Sequence, residues 1–204
     1  MGAKVGMRHI GRAGDVDFDI ETWDSVSAQV ELAVCGMFRR EMPGTALSGG
    51  LRHLDAVLKG GLVALRRDGI FTGARGETML LSHPPRPILA CAVLLVGCGE
   101  PTLWSVETAR HVAMSAMREV LRLRVGTVAF APGLLDSGLQ GAATAATAGA
   151  MLQGAIEALT NAGSDAWNPD TGGPWLRRWI FDTGPGHAEQ AALALKVAFD
   201  SHRV

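Results

Sequence analysis

The chain has 204 residues, 48% of them hydrophobic, which is enough for one domain to bury a substantial core. Its 19 basic and 20 acidic residues are scattered and nearly cancel, which argues against a broad binding surface for nucleic acid or anionic membrane. The longest apolar run, Ile88 to Gly97, is too short to span a bilayer, and the N-terminus lacks a signal-peptide pattern. We therefore expect a cytoplasmic protein that binds neither nucleic acid nor membrane.

The three cysteines, Cys35, Cys91 and Cys98, are odd in number and show no CxxC spacing. Cys35 and Cys91 lie inside apolar runs, where a thiol usually behaves as a small buried hydrophobe. This usage predicts a reducing compartment and offers no disulfide framework.

The first quarter of the chain begins without a regular pattern, so residues 1–14 are expected to be irregular. Val16 to Ile20 alternates apolar and acidic residues, which is typical of a half-buried strand. Val30 to Phe38 is an apolar run that predicts a buried strand. From Leu51, apolar residues recur at three- and four-residue steps and predict one helix to about Arg67.

The rest of the chain continues this alternation. Thr78 to Leu81 and Ile88 to Val96 predict two strands, the second covered on both faces. Ser105 is a suitable N-cap for a helix to about Arg124. The remaining predicted elements are a strand at Val125–Ala131, a helix at Leu139–Ala162, a strand at Leu176–Asp182 and a helix at Gly186–His202.

Strands that alternate with helices in this way predict a three-layer α/β/α fold with a mixed, mostly parallel central sheet. The sequence has no internal repeat and no linker-like segment. We therefore expect residues 1–204 to form a single domain.

Four segments carry a family resemblance. In chain order they are Ala33–Phe38, Leu54-Asp55 with Gly60-Gly61-Leu62, Phe71–Thr78 and Leu94–Gly99. The last three resemble the "LD…LGGAL", "F-x-G-K-x-G-E-T" and "LLVGLG" segments of the N-terminal domain of the leucine (cytosol) aminopeptidases. The match runs from about Val30 to Leu159. It implies a macro domain-like fold and a non-catalytic role, since this domain helps to arrange a hexamer in that family.

The peptidase chemistry of that family belongs to a second domain, which carries paired metal ions, a lysine and an "NTDAEGRL" signature. The present sequence contains no such signature. Ile180 to Gly186 superficially resembles the family's "TFDSGG" stretch, but Asp182 and Glu189 alone cannot supply a two-metal site. We therefore predict no catalytic residues, no metal site and no cofactor.

The likeness to macro domains, which bind ADP-ribose, implies two phosphate loops. Both lie before helices, where free N–H groups favour anions. The candidate ligand-binding residues are Ser48, Gly49 and Gly50 in loop one, and Thr183, Gly184 and Gly186 in loop two. The chain departs from the macro pattern because it lacks an "N-A-A-N" segment and has only two adjacent glycines in loop one. The alternative interpretation is that these glycines only cap helices and turn the chain.

The histidines and tryptophans add little to this prediction. No histidine pair has the spacing of a zinc site. His53 and His187 lie beside the two loops, either near a ligand phosphate or as partly exposed helix residues. Three tryptophans near the C-terminus are expected to be exposed and are candidates for an interface: Trp167, Trp175 and Trp179.

Three functional hypotheses follow. The first is a non-catalytic domain that acts in assembly or partner binding, as a homo-oligomer or beside a separately encoded peptidase. The second is a module that binds ADP-ribose or a related nucleotide. The third, a peptidase in its own right, lacks the expected metal ligands. The first two differ in whether the loops converge on an open, electropositive cleft.

Overall fold

The computed structural model of the chain describes residues 7–134, 136, 138–139, 145–170, 172–183 and 188–201. The strands within these ranges are β1 (Arg8–Ala13), β2 (Val16–Glu21), β3 (Leu32–Met37), β4 (Thr78–Ser82), β5 (Ala92–Gly97), β6 (Thr127–Ala131), β7 (Trp167–Asn168), β8 (Gly173–Pro174) and β9 (Arg178–Asp182). The helices are α1 (Gly49–Val57), α2 (Gly61–Arg67), α3 (Val106–Leu123), α4 (Ala145–Ala162) and α5 (Ala188–Ser201). No helix in the described ranges is long and apolar enough to cross a bilayer.

Seven of the described strands form one sheet in the order β1-β2-β9-β6-β3-β5-β4. The five inner strands are parallel to one another, whereas β1 and β4 pair antiparallel at the two edges. Parallel neighbours need long crossover connections, and α1 to α4 lie in those connections. The predicted mixed, mostly parallel α/β sheet is confirmed.

Apolar side chains cover both faces of this sheet. Successive strand residues point to opposite faces, so Leu32 and Val34 join one core cluster while Ala33 and Cys35 join the other. The first cluster includes residues of α3, α4 and α5, and the second includes residues of α1 and α2. The sheet is therefore the middle of three layers, as the sequence predicts.

Helix α3 confirms its predicted start. The hydroxyl of Ser105 accepts the N–H of Thr108 at 3.1 Å and so provides an N-cap. Glu107 lies in the first turn and Arg122 in the last, where their charges complement the helix dipole.

The single helix predicted from Leu51 to Arg67 is wrong in one respect, because α1 and α2 are separate helices. Lys59 and Gly60 both have positive φ, which ends the first helix. The carboxylate of Asp55 accepts the N–H groups of Leu62 at 2.8 Å and Val63 at 3.2 Å, and so supports the start of the second helix. The Leu54-Asp55 and Gly60–Leu62 motif therefore encodes a helix–turn–helix connection.

Two strand predictions also need correction. The strand predicted from Ile88 begins only at Ala92, because the preceding residues pack in a loop: Ile88 and Ala90 are buried, and Leu89 donates its N–H to Val26. The expected irregular segment 1–14 contains edge strand β1. Ile10 is the only buried residue of β1, so the strand gives no alternating pattern to detect.

Burial differs from prediction at two side chains. Trp179, expected to be exposed, is fully buried within the sheet's core, while Trp167 is exposed. Cys91, expected to be buried, is exposed, while Cys35 and Cys98 are buried. Trp179 is buried because β9 is an inner strand covered on both faces, whereas Cys91 lies just before β5 and outside the sheet.

The Phe71–Thr78 motif forms a turn around one carboxylate. Glu77 accepts hydrogen bonds from the N–H and hydroxyl of Thr72 and from the N–H of Ala74, at distances of 2.7 to 3.1 Å. Burial alone raises the pKa of Glu77, but these hydrogen bonds lower its pKa overall. The glutamate of this motif therefore serves the turn before β4.

Candidate functional site

A pocket of about 410 Å³ opens at the carboxyl ends of β9 and β6. In α/β sheets this edge is the usual position of a ligand. Most of the residues in its wall are apolar, and they come from α4, α5, two strands and the loops. The apolar residues of the wall are Trp23, Ala131, Pro132, Leu134, Ala145, Ala148, Met151, Phe181, Ala191, Ala194 and Leu195.

Both predicted loops reach this pocket where they are described. Gly49 and Gly50 line it at the start of α1, and Thr183 lines it just after β9. The N–H of Thr183 donates to Glu21 at 3.3 Å. Its hydroxyl oxygen is buried and has no hydrogen-bond partner among the described residues.

Gly184 and Gly186 of the predicted loop two lie outside the described residues, and so does His187. Ser48 lies beside the pocket as the N-cap of α1, without a cap hydrogen bond from its own side chain. The convergence of loop one with Thr183 thus agrees with the predicted arrangement, while the binding role of all these residues stays a prediction.

Asp136, a residue that the sequence analysis did not identify, forms hydrogen bonds with loop one and the start of α1. The carboxylate of Asp136 accepts the N–H of Leu51 at 2.9 Å. Its main-chain carbonyl accepts the N–H of Ser48 at 2.9 Å and the hydroxyl of Ser48 at 3.0 Å. Asp136 therefore caps α1 and uses donors that a phosphate would need.

The carboxylate of Asp136 is partly buried. Burial raises the pKa of Asp136, and the N–H groups of Leu51 and Gly50 lower it only in part, so the pKa stays above its ordinary value. Its second oxygen lies so close to Gly49 that an added Cβ would come within 1.9 Å. Since Gly49 also has a positive φ of 54°, a side chain is strongly disfavoured there.

The charged groups of the pocket are acidic. Asp24, Asp136 and Asp182 line it, and no lysine or arginine does so among the residues that the structure describes. The electropositive cleft expected for a diphosphate is therefore not found in the described part of the site.

The buried thiol of Cys35 in β3 is influenced by the same three carboxylates. Burial raises the pKa of its thiol to about 12, and the charges of Asp182, Asp136 and Asp24 act in the same direction. The thiol donates to the hydroxyl of Ser25 at 3.1 Å. Such a thiol stays protonated at neutral pH and is a poor nucleophile.

Asp24 is also engaged within the fold. It accepts the N–H groups of Val26 and Ser27 at 3.1 and 2.7 Å, and lies 2.7 Å from Nδ1 of His53. Burial raises the pKa of Asp24, but the hydrogen bonds from His53 and Ser27 lower its pKa overall. His53 is half exposed on α1, in agreement with one of its two predicted interpretations.

Among the described residues, no group of histidine, cysteine, aspartate or glutamate side chains has the arrangement of a metal site. Asp24 and Asp136 instead contact main-chain N–H groups, and Asp24 also contacts His53.

Comparison with known proteins gives a consistent picture. The family model described as the cytosol aminopeptidase family, N-terminal domain, matches residues 34–157. Probable cytosol aminopeptidases of Burkholderia pseudomallei strain 668 and Burkholderia mallei strain SAVP1 are each 28% identical over 180 residues, covering 85% of this chain and 33% of the relative. The chain thus spans about a third of the length of these curated relatives.

Solved structures share the fold at low sequence identity. A mutant tomato leucine aminopeptidase superimposes with a TM-score of 0.61 at 19% identity, covering 92% of this chain and 36% of that one. The Oceanobacillus iheyensis macrodomain with ADP gives a TM-score of 0.66 at 15% identity, covering 98% of this chain and all of that one. The predicted macro domain-like fold is confirmed.

Proposed function

Because the chain belongs to the cytosol aminopeptidase family through its N-terminal domain, we propose that it acts as a non-catalytic binding domain that associates with a protein partner. The candidate partners are a second copy of the chain and a separate peptidase chain. The chain spans a third of the length of relatives named as cytosol aminopeptidases, in which this domain lies next to further protein. This supports association with another protein surface, and the relatives' name supports a cytoplasmic location.

The observation that carries a non-catalytic role is that two carboxylates at the pocket, those of Asp24 and Asp136, bind groups of the fold itself. Asp136 caps α1, and Asp24 holds a turn and His53. The thiol of Cys35 has a pKa of about 12 because it is buried, and donates to Ser25. A catalytic acid, base or nucleophile needs a titratable group that can reach the substrate, whereas these groups form hydrogen bonds within the protein.

The outer face of α5 offers a surface for a partner. Leu193 and Val197 are 68% and 61% exposed and lie one helical turn apart. The adjacent face of the same helix forms part of the pocket wall through Ala191 and Ala194. Burial of a leucine or valine side chain contributes about 1.5–3 kcal/mol, so a partner that covers this pair gains from both.

Substitution of Leu193 by glutamate tests this surface. We expect the wild-type chain to self-associate in sedimentation velocity and Leu193→Glu to weaken that association by about tenfold or more, since a charge replaces an apolar contact. Leu103→Glu is the matched control, because Leu103 is 73% exposed on a different part of the surface. A wild type that stays monomeric, both alone and mixed with a full-length family aminopeptidase, would contradict the proposal.

A second candidate function is the binding of ADP-ribose or a related nucleotide. It is favoured by the open pocket of about 410 Å³, which is large enough for a small ligand, and by the fold shared with a macrodomain solved with ADP. Against it stand the carboxylates of Asp24, Asp136 and Asp182 at the pocket. Calorimetric titration with ADP-ribose distinguishes this candidate from the first.

A further inference from the structure

We infer that Asp136 excludes phosphate-bearing ligands from the pocket by placing its own carboxylate on the N–H groups at the start of helix α1. This inference rests on the proposed function, in which the pocket does not serve a nucleotide, and identifies the residue that sets this selectivity.

Asp136 contacts loop one through both its carboxylate and its main-chain carbonyl group. Its Oδ2 accepts the N–H of Leu51 at 2.9 Å, and its Oδ1 lies against Gly49. Its carbonyl oxygen takes both donors of Ser48. The first N–H groups of a helix are its free donors, and here an anionic side chain of the same chain already binds them.

A phosphate in the same place would meet two obstacles. It would compete for N–H groups that already donate to Asp136, and it would lie beside a like charge in a partly buried site. Asp24 and Asp182 line the same pocket and add to the repulsion. The internal carboxylate therefore occupies the position that a ligand phosphate would need.

Removal of this carboxylate is expected to create an anion site. In calorimetric titration with ADP, Asp136→Ala should bind saturably, whereas the wild type should bind at least about tenfold more weakly or not at all, a difference of at least about 1.4 kcal/mol. Asp136→Asn should show a smaller gain, because its amide oxygen still accepts the N–H of Leu51 while the charge is gone. Asp68→Asn is the control for net charge, since Asp68 is an exposed partner of Arg67 and does not line the pocket.

The result that would overturn the inference is an unchanged ADP affinity in both Asp136 variants, with circular dichroism and thermal unfolding showing that they are folded. If Asp136→Ala does not fold, Asp136→Asn carries the test. A second measurement is amide hydrogen exchange, where the N–H of Leu51 should exchange faster in Asp136→Ala. Self-association is measured without ADP, so failure of the proposed function and failure of this inference are separate results.

Discussion

Substitution of Gly154 by valine is expected to destabilise the domain by about 3 kcal/mol or more. Gly154 is buried in α4, and a Cβ added there would lie 2.1 Å from the carbonyl oxygen of Arg110 in α3. Because backbone rather than a flexible side chain stands in the way, the two helices must move apart. That movement would open the core layer between α3, α4 and the sheet.

The control for Gly154→Val is Gly61→Ala, which also replaces a glycine in a helix. The added Cβ at Gly61 meets only Cβ of Leu58, at an ordinary 3.4 Å. We expect Gly61→Ala to leave stability unchanged or slightly raised. Urea unfolding of the three proteins measures the difference, and equal midpoints for Gly154→Val and wild type would refute the close helix contact.

Substitution of Trp179 by alanine is expected to cost about 3–5 kcal/mol. The indole is fully buried in the centre of the sheet, with its ring centroid 5.3 Å from that of Phe130 and 6.2 Å from that of Phe181. Its removal leaves a large cavity in the layer under α3 to α5. For a chain of this size, each kcal/mol lowers the melting temperature by about 2–4 °C.

Trp179→Phe separates the loss of ring volume from the loss of the indole N–H. The N–H is buried and has no hydrogen-bond partner among the described residues, so its removal should cost little. We expect most of the stability to be retained in this variant. Differential scanning calorimetry gives the comparison, and a phenylalanine variant as unstable as the alanine variant would contradict the packing argument.

The fold was accessible from the sequence because its signals are local. The alternating pattern of Val16–Ile20 and the cap at Ser105 each depend on neighbouring residues, and both correspond to observed elements. Strand β1 was missed because one buried residue, Ile10, makes no pattern. The exposure of Cys91 depends on where β5 begins, and the burial of Trp179 depends on β9 lying inside the sheet. Both are set by tertiary contacts that local sequence patterns do not determine.

The site was only partly predictable for a different reason. Glycines before a helix indicate a possible anion site, and loop one does line the pocket. What decides its chemistry is Asp136, which binds the N–H of Leu51 from 85 residues away in sequence. No local pattern around Asp136 indicates that contact, because it arises only when the end of β6 and the start of α1 meet at one edge of the sheet.

The backbone fold and the side chains of the pocket carry different information about function. The chain shares the architecture of a macrodomain solved with ADP, and among the described residues its pocket is lined by three aspartates and by no lysine or arginine. Fold similarity therefore defines where a ligand could lie, while the side chains at that place define whether it binds.

Calorimetric titration of the wild-type chain with ADP-ribose tests the central claim most directly, namely that the donors of loop one serve the fold and not a nucleotide. We predict no saturable heat at high ligand concentration. Saturable binding that is lost in Gly50→Glu would contradict the claim, because it would mean that the pocket accepts a diphosphate despite the carboxylate of Asp136.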